Sequence, residues 1–208
     1  MDATGLEAHY ASPHYRYVYS ERYVAAYAAL HGGRRPAGPH YRPGHPKLTA
    51  VVHAGSHLIL GAIPNVGPAH DTPDFAPAMR QAATVLRGAA MRFAAVTADA
   101  GYDAEHCHVL CREQLGIPKT AIALNRRMHD AGRLPRTRYR REMRRRFPRT
   151  LYRARQQAES TFSQHKRRLG PALTTRSAAA QAGEQILRVL THNVLILHHG
   201  SRTFQQSR

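Results

Sequence analysis

Tyr152, Arg155, Glu159 and Lys166 follow one another at steps of three, four and seven residues. At about 100° per residue, a step of seven on an α-helix returns to within roughly 20° of its start. Tyr152, Glu159 and Lys166 therefore share one stripe of a helix, with Arg155 beside it. A tyrosine, a carboxylate and two cations on one face could set a metal ligand next to phosphate-binding groups. The plainer reading is a solvated face on which Arg155 and Glu159 pair at i,i+4. Two aspartates bear on the choice. Asp99 ends a short apolar run from Phe93 to Ala98, read as a buried strand, and α/β sheets place ligands at strand ends. Asp2 opens a second stretch, Asp2-Ala3-Thr4-Gly5-Leu6. Two aspartates at strand ends and a glutamate from a helix could hold two divalent metals about 4 Å apart. In phosphoryl transfer, one such metal activates the attacking oxygen and the other stabilises the leaving oxygen. Carboxylate oxygens suit Mg²⁺, a hard cation.

The elements that would position these residues follow from pattern. Two apolar runs, Leu48 to Val52 and Leu58 to Ile63, flank Ala54-Gly55-Ser56 and predict a β-hairpin. Asp71-Thr72-Pro73-Asp74 predicts a helix start, with Gly88 closing the helix after Arg87. Asp103 is placed to cap a helix ending near Gly116, and Thr120 to Ala123 predicts a short strand. Capping accounts for Asp71, Asp74 and Asp103 alike. Residues 126–149 are dominated by arginine and lack apolar periodicity, which predicts a solvated or DNA-facing insertion. A long helix is expected from about Arg149 to Leu169, stopped by Gly170-Pro171. A last one, about Ala178 to His198, should cover the core. The order of strands and helices gives an α/β class.

Composition narrows the partner. The chain has 208 residues, 31 Lys plus Arg against 13 Asp plus Glu, and a formal net charge of +18. Such a charge self-repels unless a polyanion offsets it, and nucleic acid is the commonest polyanion in a cell. An acidic membrane surface comes second, without a lipidation motif to support it. Arginine enrichment through codon usage alone is the third reading. A hydrophobic share of 42% excludes a wholly disordered chain, and no apolar run is long enough for a membrane span. No secretory signal is visible, and two cysteines fit a reducing cytoplasm.

Together, Tyr152-x2-Arg155-x3-Glu159-x6-Lys166 resembles the Tyr-Arg-Glu-Lys signature of bacterial insertion-sequence DDE transposases. Asp2-Ala3-Thr4-Gly5-Leu6 resembles the motif around their first catalytic aspartate. Ala98-Asp99-Ala100-Gly101-Tyr102-Asp103 resembles that around the second, and His192-Asn193-Val194-Leu195 resembles their C-terminal helix. The resemblance covers nearly the whole chain, as one catalytic domain over residues 1–208. It implies a ribonuclease-H-like mixed sheet flanked by helices and a triad of Asp2, Asp99 and Glu159. It also implies two bound Mg²⁺ ions, with Mn²⁺ able to substitute, and strand cleavage at transposon ends followed by joining to target DNA. Tyr152, Arg155 and Lys166 would contact DNA, on paired ends held by a homodimer in the cytoplasm and nucleoid. Where the family has a strand leading to its first aspartate, only Met1 precedes Asp2. The first strand is thus expected to be largely missing, with Asp2 on a fraying end. The chain is read as a shortened copy, weakly active or inactive. The alternative to a transposase enzyme is thus a non-catalytic basic DNA-binding remnant.

Arg140, Arg141, Arg144 and Arg145, with Arg138 and Arg146 around them, read as phosphate contacts, because only Glu142 offsets them. His106, Cys107, His108 and Cys111 lack the spacing of a structural zinc site and read as helix residues. The Tyr- and His-rich run between His9 and Tyr23 reads as an insertion between the first strands. No phosphate-binding loop of the Walker type is present.

Overall fold

A computed structural model describes residues 1–8, 25, 28–29, 32–33, 45–67, 70–125 and 134–205. The run between His9 and Tyr23, and the first part of the arginine-rich segment, lie outside the described residues. Seven strands are described: β1 (Asp2–Gly5), β2 (Glu7–Ala8), β3 (His45–Val52), β4 (Ile59–Gly67), β5 (Val96–Ala98), β6 (Thr120–Ile122) and β7 (Ala172–Leu173). The helices used below are α1 (Thr72–Gly88), α2 (Glu105–Val109), α3 (Arg138–Arg145), α4 (Arg149–Tyr152), α5 (Gln156–Leu169) and α6 (Ala178–Gln205).

The hairpin expected from the two apolar runs forms as β3 and β4, antiparallel, with a register shift between Val51 and Val52. β1 lies antiparallel on the other side of β3, with Asp2 opposite Ala50. β5 and β6 pair in parallel. The Met1 nitrogen donates to the Thr97 carbonyl at 2.6 Å and so lays β5 beside β1. The strands form a three-stranded sheet in the order β4-β3-β1 and a separate parallel pair, β5-β6, tied to the start of β1 by that one bond. The first strand, expected to be largely missing, is present and does not fray. All four of its residues pair with β3, and Met1 and Leu6 at its ends are buried. β2 pairs separately with β7.

β3 is buried on both faces, and period-two alternation sorts its side chains. Leu48 and Ala50 pack with Phe162 of α5 and Val189 of α6. Val51 packs on the opposite side with Phe75, Met79 and Ala82 of α1. The sheet is thus covered by α1 on one face and by α5 and α6 on the other. α1 approaches β4 so closely that a Cβ on Gly61 would stand 2.3 Å from the Ala78 carbonyl oxygen. Gly61→Ala should therefore destabilise the fold by about 1–3 kcal/mol. Gly88→Ala, which meets nothing within 4 Å, serves as the control, and urea denaturation of both checks this.

α1 begins with Pro73 in its first turn and ends at Gly88, as the sequence predicts. The three aspartates read as caps do other work. Asp71 sits at the cap position without a side-chain cap bond and pairs with the buried Lys47 ammonium. Asp74 is buried and accepts from Thr49 Oγ1 at 3.0 Å and from Asn65 Nδ2 at 2.9 Å. Ala104, not Asp103, precedes α2. Asp103 takes the Arg140 guanidinium on both oxygens, at 2.7 and 2.8 Å, and also accepts the Asn125 N–H. Two charge-assisted bonds outweigh a single cap bond.

The arginine-rich segment is not simply solvated. Tyr139 and Met143, one turn apart on α3, are buried. The Glu105 carboxylate accepts the Tyr139 and Arg140 N–H groups at 3.0 and 3.1 Å, closing the N-terminus of α3. Tyr139 Oη donates to Glu113 at 2.7 Å, and Arg112 pairs with Glu142 at 2.7 Å. The long helix expected over 149–169 is broken: a 3₁₀ turn over Arg153–Arg155 separates α4 from α5. Gly170, at φ +83°, ends α5 where the sequence places the stop. No helix among the described residues is long and apolar enough to cross a membrane.

His165 of α5 and His192 of α6 meet in the core at 5.8 Å between ring centroids. Neither ring nitrogen of His165 has a hydrogen-bond partner. Burial, helped by the nearby His192, Arg188 and Lys166, lowers the His165 pKa from 6.5 to about 4. The neutral ring is the folded form, so its stabilisation is complete above pH 6.5 and is lost as pH falls towards 4. The loss amounts to roughly 3 kcal/mol for this one group. Thermal melts should therefore drop between pH 7 and pH 4.5, and less steeply in His165→Phe.

Candidate active site

β1, the turn after β5 and α5 carry Asp2, Asp99 and Glu159, and Arg155 bonds two of these three carboxylates. Asp2 stands on β1 with a side chain only 15% exposed. Its Oδ1 accepts the Ala3 N–H at 2.9 Å, and its Oδ2 accepts from Arg155 Nη1 at 3.2 Å. The other arm of the guanidinium, Nη2, donates to Glu159 Oε1 at 2.5 Å. Glu159 lies in the first turn of α5 and is 53% exposed. Arg155 thus spans the first and third carboxylates of the expected triad. The i,i+4 pair of the plainer reading is present, and it is one half of this bridge.

Asp99 follows β5 directly, next to β1, and its Oδ1 accepts the Ala100 N–H at 2.7 Å. Its charge acts on Asp2 and Tyr152. Burial above all raises the Asp2 carboxyl above its ordinary value, and the Asp99 charge adds to this, while Ala3 N–H and Arg155 hold it back. Burial also raises the Tyr152 phenol, with Asp99 and Asp2 contributing. The Arg155 guanidinium lies over the Tyr152 ring, 5.8 Å from its centroid. Lys166 is half-buried two turns along α5 and makes no ion pair with a described residue. Sequence reading assigns Arg155 to DNA and misses its bond to Asp2. No local signal links residues 153 apart.

The donor set is chemically right for a hard divalent cation, since every donor is a carboxylate oxygen. Its arrangement is not. The Arg155 guanidinium holds an oxygen of Asp2 and one of Glu159. Among the described residues no three His, Cys, Asp or Glu side chains are gathered as a metal site requires. The residues as placed therefore do not fit a metal ion.

Along α3, Arg138, Arg141 and Arg145 face one way. With Arg146 and Glu142 they line a surface cleft of about 430 Å³. Arg144 is also exposed. Arg140 differs from these neighbours, because Asp103 binds its guanidinium against the α2 side. Cys107 and Cys111 are buried thiols, each pushed up to about 12 by burial, and His108 bonds Thr120 Oγ1 at 2.8 Å.

Strands covered by helices, with acidic residues on β1, directly after β5 and on α5, are the arrangement of a ribonuclease-H-like domain. Within that class, the sequence model of the transposase DDE domain matches residues 1–194. The chain belongs to the transposase DDE domain family. No curated protein and no solved structure matches it.

Proposed function

We propose that this chain, acting as one catalytic domain, cleaves DNA strands at insertion-sequence ends and joins the freed 3′-hydroxyl to target DNA. The family acts on DNA in transposition and generally uses divalent metal ions. What supports the reading is the nearness of the Asp2 and Glu159 carboxylates, close enough to share one guanidinium, and the Asp99 charge acting on Asp2. In it Asp2, Asp99 and Glu159 are the acidic residues of the site, and Mg²⁺, or Mn²⁺ in its place, is the ion their oxygens suit. Lys166 and Arg155 neutralise phosphates beside the cleaved bond, and Tyr152 stacks or hydrogen-bonds there. Arg141, Arg144 and Arg145 follow the backbone further out, while Arg140 positions α3 rather than meeting DNA. A DNA substrate implies the cytoplasm and nucleoid.

The test is cleavage of a plasmid carrying insertion-sequence ends, with Mg²⁺ present. Cleavage lost in Asp2→Asn supports the enzyme. Tight DNA binding without any cleavage by the unaltered chain supports the second reading, a non-catalytic DNA-binding protein. The arginine bridge across the acidic residues is what favours that reading.

A homodimer on paired ends belongs to the same proposal. Leu187, Leu190 and Val194 are exposed on α6, and with Leu197 they keep the 3-4-3 spacing of a two-stranded coiled-coil seam. A second copy of this chain fits such a seam. Sedimentation velocity should show a dimer that Leu190→Glu weakens at least about tenfold.

A further inference from the structure

Phe147 lies on the link between α3 and α4, and its ring meets the Tyr152 ring edge to face, at 5.0 Å between centroids and 62° between planes. Both residues are half-buried. Neither belongs to the two buried clusters of the described residues, which take Phe75, Tyr102 and Phe162 as their aromatic members. Exposed guanidiniums flank the pair along the chain: Arg144, Arg145 and Arg146 before Phe147, then Arg149 and Arg153 on either side of Tyr152. Arg145 and Arg146 also line the α3 cleft, and Arg155 lies over the Tyr152 ring. In chain order the two rings therefore stand between that cleft and the arginine that bonds Asp2 and Glu159. We propose that Phe147, with Tyr152, is a stacking platform for an unpaired DNA base whose flanking phosphates lie on the neighbouring arginines. This rests on the reading of the chain as DNA-binding, and it requires neither cleavage nor a bound ion.

The chemistry of the partner follows from what each group can hold. Guanidiniums neutralise phosphates whether a strand is paired or not. An aromatic ring discriminates, because it takes the flat face of a base. In a duplex those faces are covered by neighbouring base pairs, and only base edges reach the grooves. A base that has left its partner exposes a face, and stacking on an aromatic side chain restores the lost contact with little regard to sequence. Phe147 has no polar side-chain atom, so it adds nothing to phosphate binding. Its half-buried ring gains only from a flat apolar partner. Cations alternating with rings along one short segment match a single strand, in which phosphates and bases alternate as well.

The experiment compares a short oligothymidylate with the duplex it forms with oligodeoxyadenylate. Binding of each to the full chain and to its Phe147→Leu variant is read by fluorescence anisotropy, with circular dichroism to confirm folding. Phe147→Leu should weaken binding of the single strand about tenfold and leave duplex binding within about twofold. The chain has no tryptophan, so Phe147→Trp supplies a single indole at this point and keeps a ring for stacking. Its fluorescence should be quenched far more by the single strand than by the duplex, a readout that stands even if the leucine variant misfolds. If Phe147→Leu weakens neither form, or weakens both equally, and the single strand leaves the indole signal unchanged, the platform is overturned and the DNA-binding reading stands. If the unaltered chain binds neither form, both fall.

Discussion

Asp99→Asn is expected to lower strand cleavage by about a thousandfold or more while leaving DNA affinity within about threefold of the unaltered chain. The substitution removes a charge and little else. An asparagine oxygen can still accept the Ala100 N–H that Asp99 Oδ1 holds at 2.7 Å, so the turn after β5 survives. Glu159→Gln should behave alike, since the amide oxygen can still take the Arg155 arm. DNA affinity stays or rises slightly, because each change removes a negative charge beside a phosphate. Cleavage and binding are read on the same oligonucleotide, by gel and by fluorescence anisotropy. Retained cleavage in either variant would remove that carboxylate from the chemistry.

Replacing Arg138, Arg141, Arg145 and Arg146 together by alanine should flatten the salt dependence of DNA binding. Each phosphate neutralised contributes a slope of about −0.9 in log affinity against log salt, so the slope should fall in size by up to about 3.6. The four side chains are exposed and line one cleft, so the fold should survive their loss. The cleft is presented on a fixed element. Asp103, Glu105, Glu113 and Arg112 hold α3 through Arg140, its N-terminal amides, Tyr139 and Glu142 respectively. An unchanged slope, measured by anisotropy across a salt series, would assign the arginines to solubility alone.

Local pattern revealed the elements whose signals are local. The β3–β4 hairpin, α1 between Pro73 and Gly88, and the stop at Gly170 all rest on adjacent residues. The stripe from Tyr152 to Lys166 was visible because helical spacing is itself a sequence property. The docking of α3 was hidden, since only Tyr139 and Met143 break its run of charge. The 3₁₀ break at Arg153–Arg155 carries no glycine or proline to announce it. Asp71 and Asp103 looked like caps, because sequence shows neighbours and not the distant Lys47 and Arg140. The Asp2–Arg155 bond, the contact that shapes the site, joins residues 153 apart and has no local trace.

The proposed function requires Asp2, Asp99 and Glu159 to gather about one cation when DNA is bound, an arrangement the described residues do not have. Iron-directed cleavage tests this most directly. Fe²⁺ loaded on the full chain with DNA, then treated with ascorbate and peroxide, generates hydroxyl radicals that cut the backbone beside the bound ion. Peptide mapping should find cuts clustered near residues 2, 99 and 159, suppressed by excess Mg²⁺ and lost in Asp99→Asn. Cuts confined to one of these regions, or scattered without regard to Mg²⁺, would contradict it.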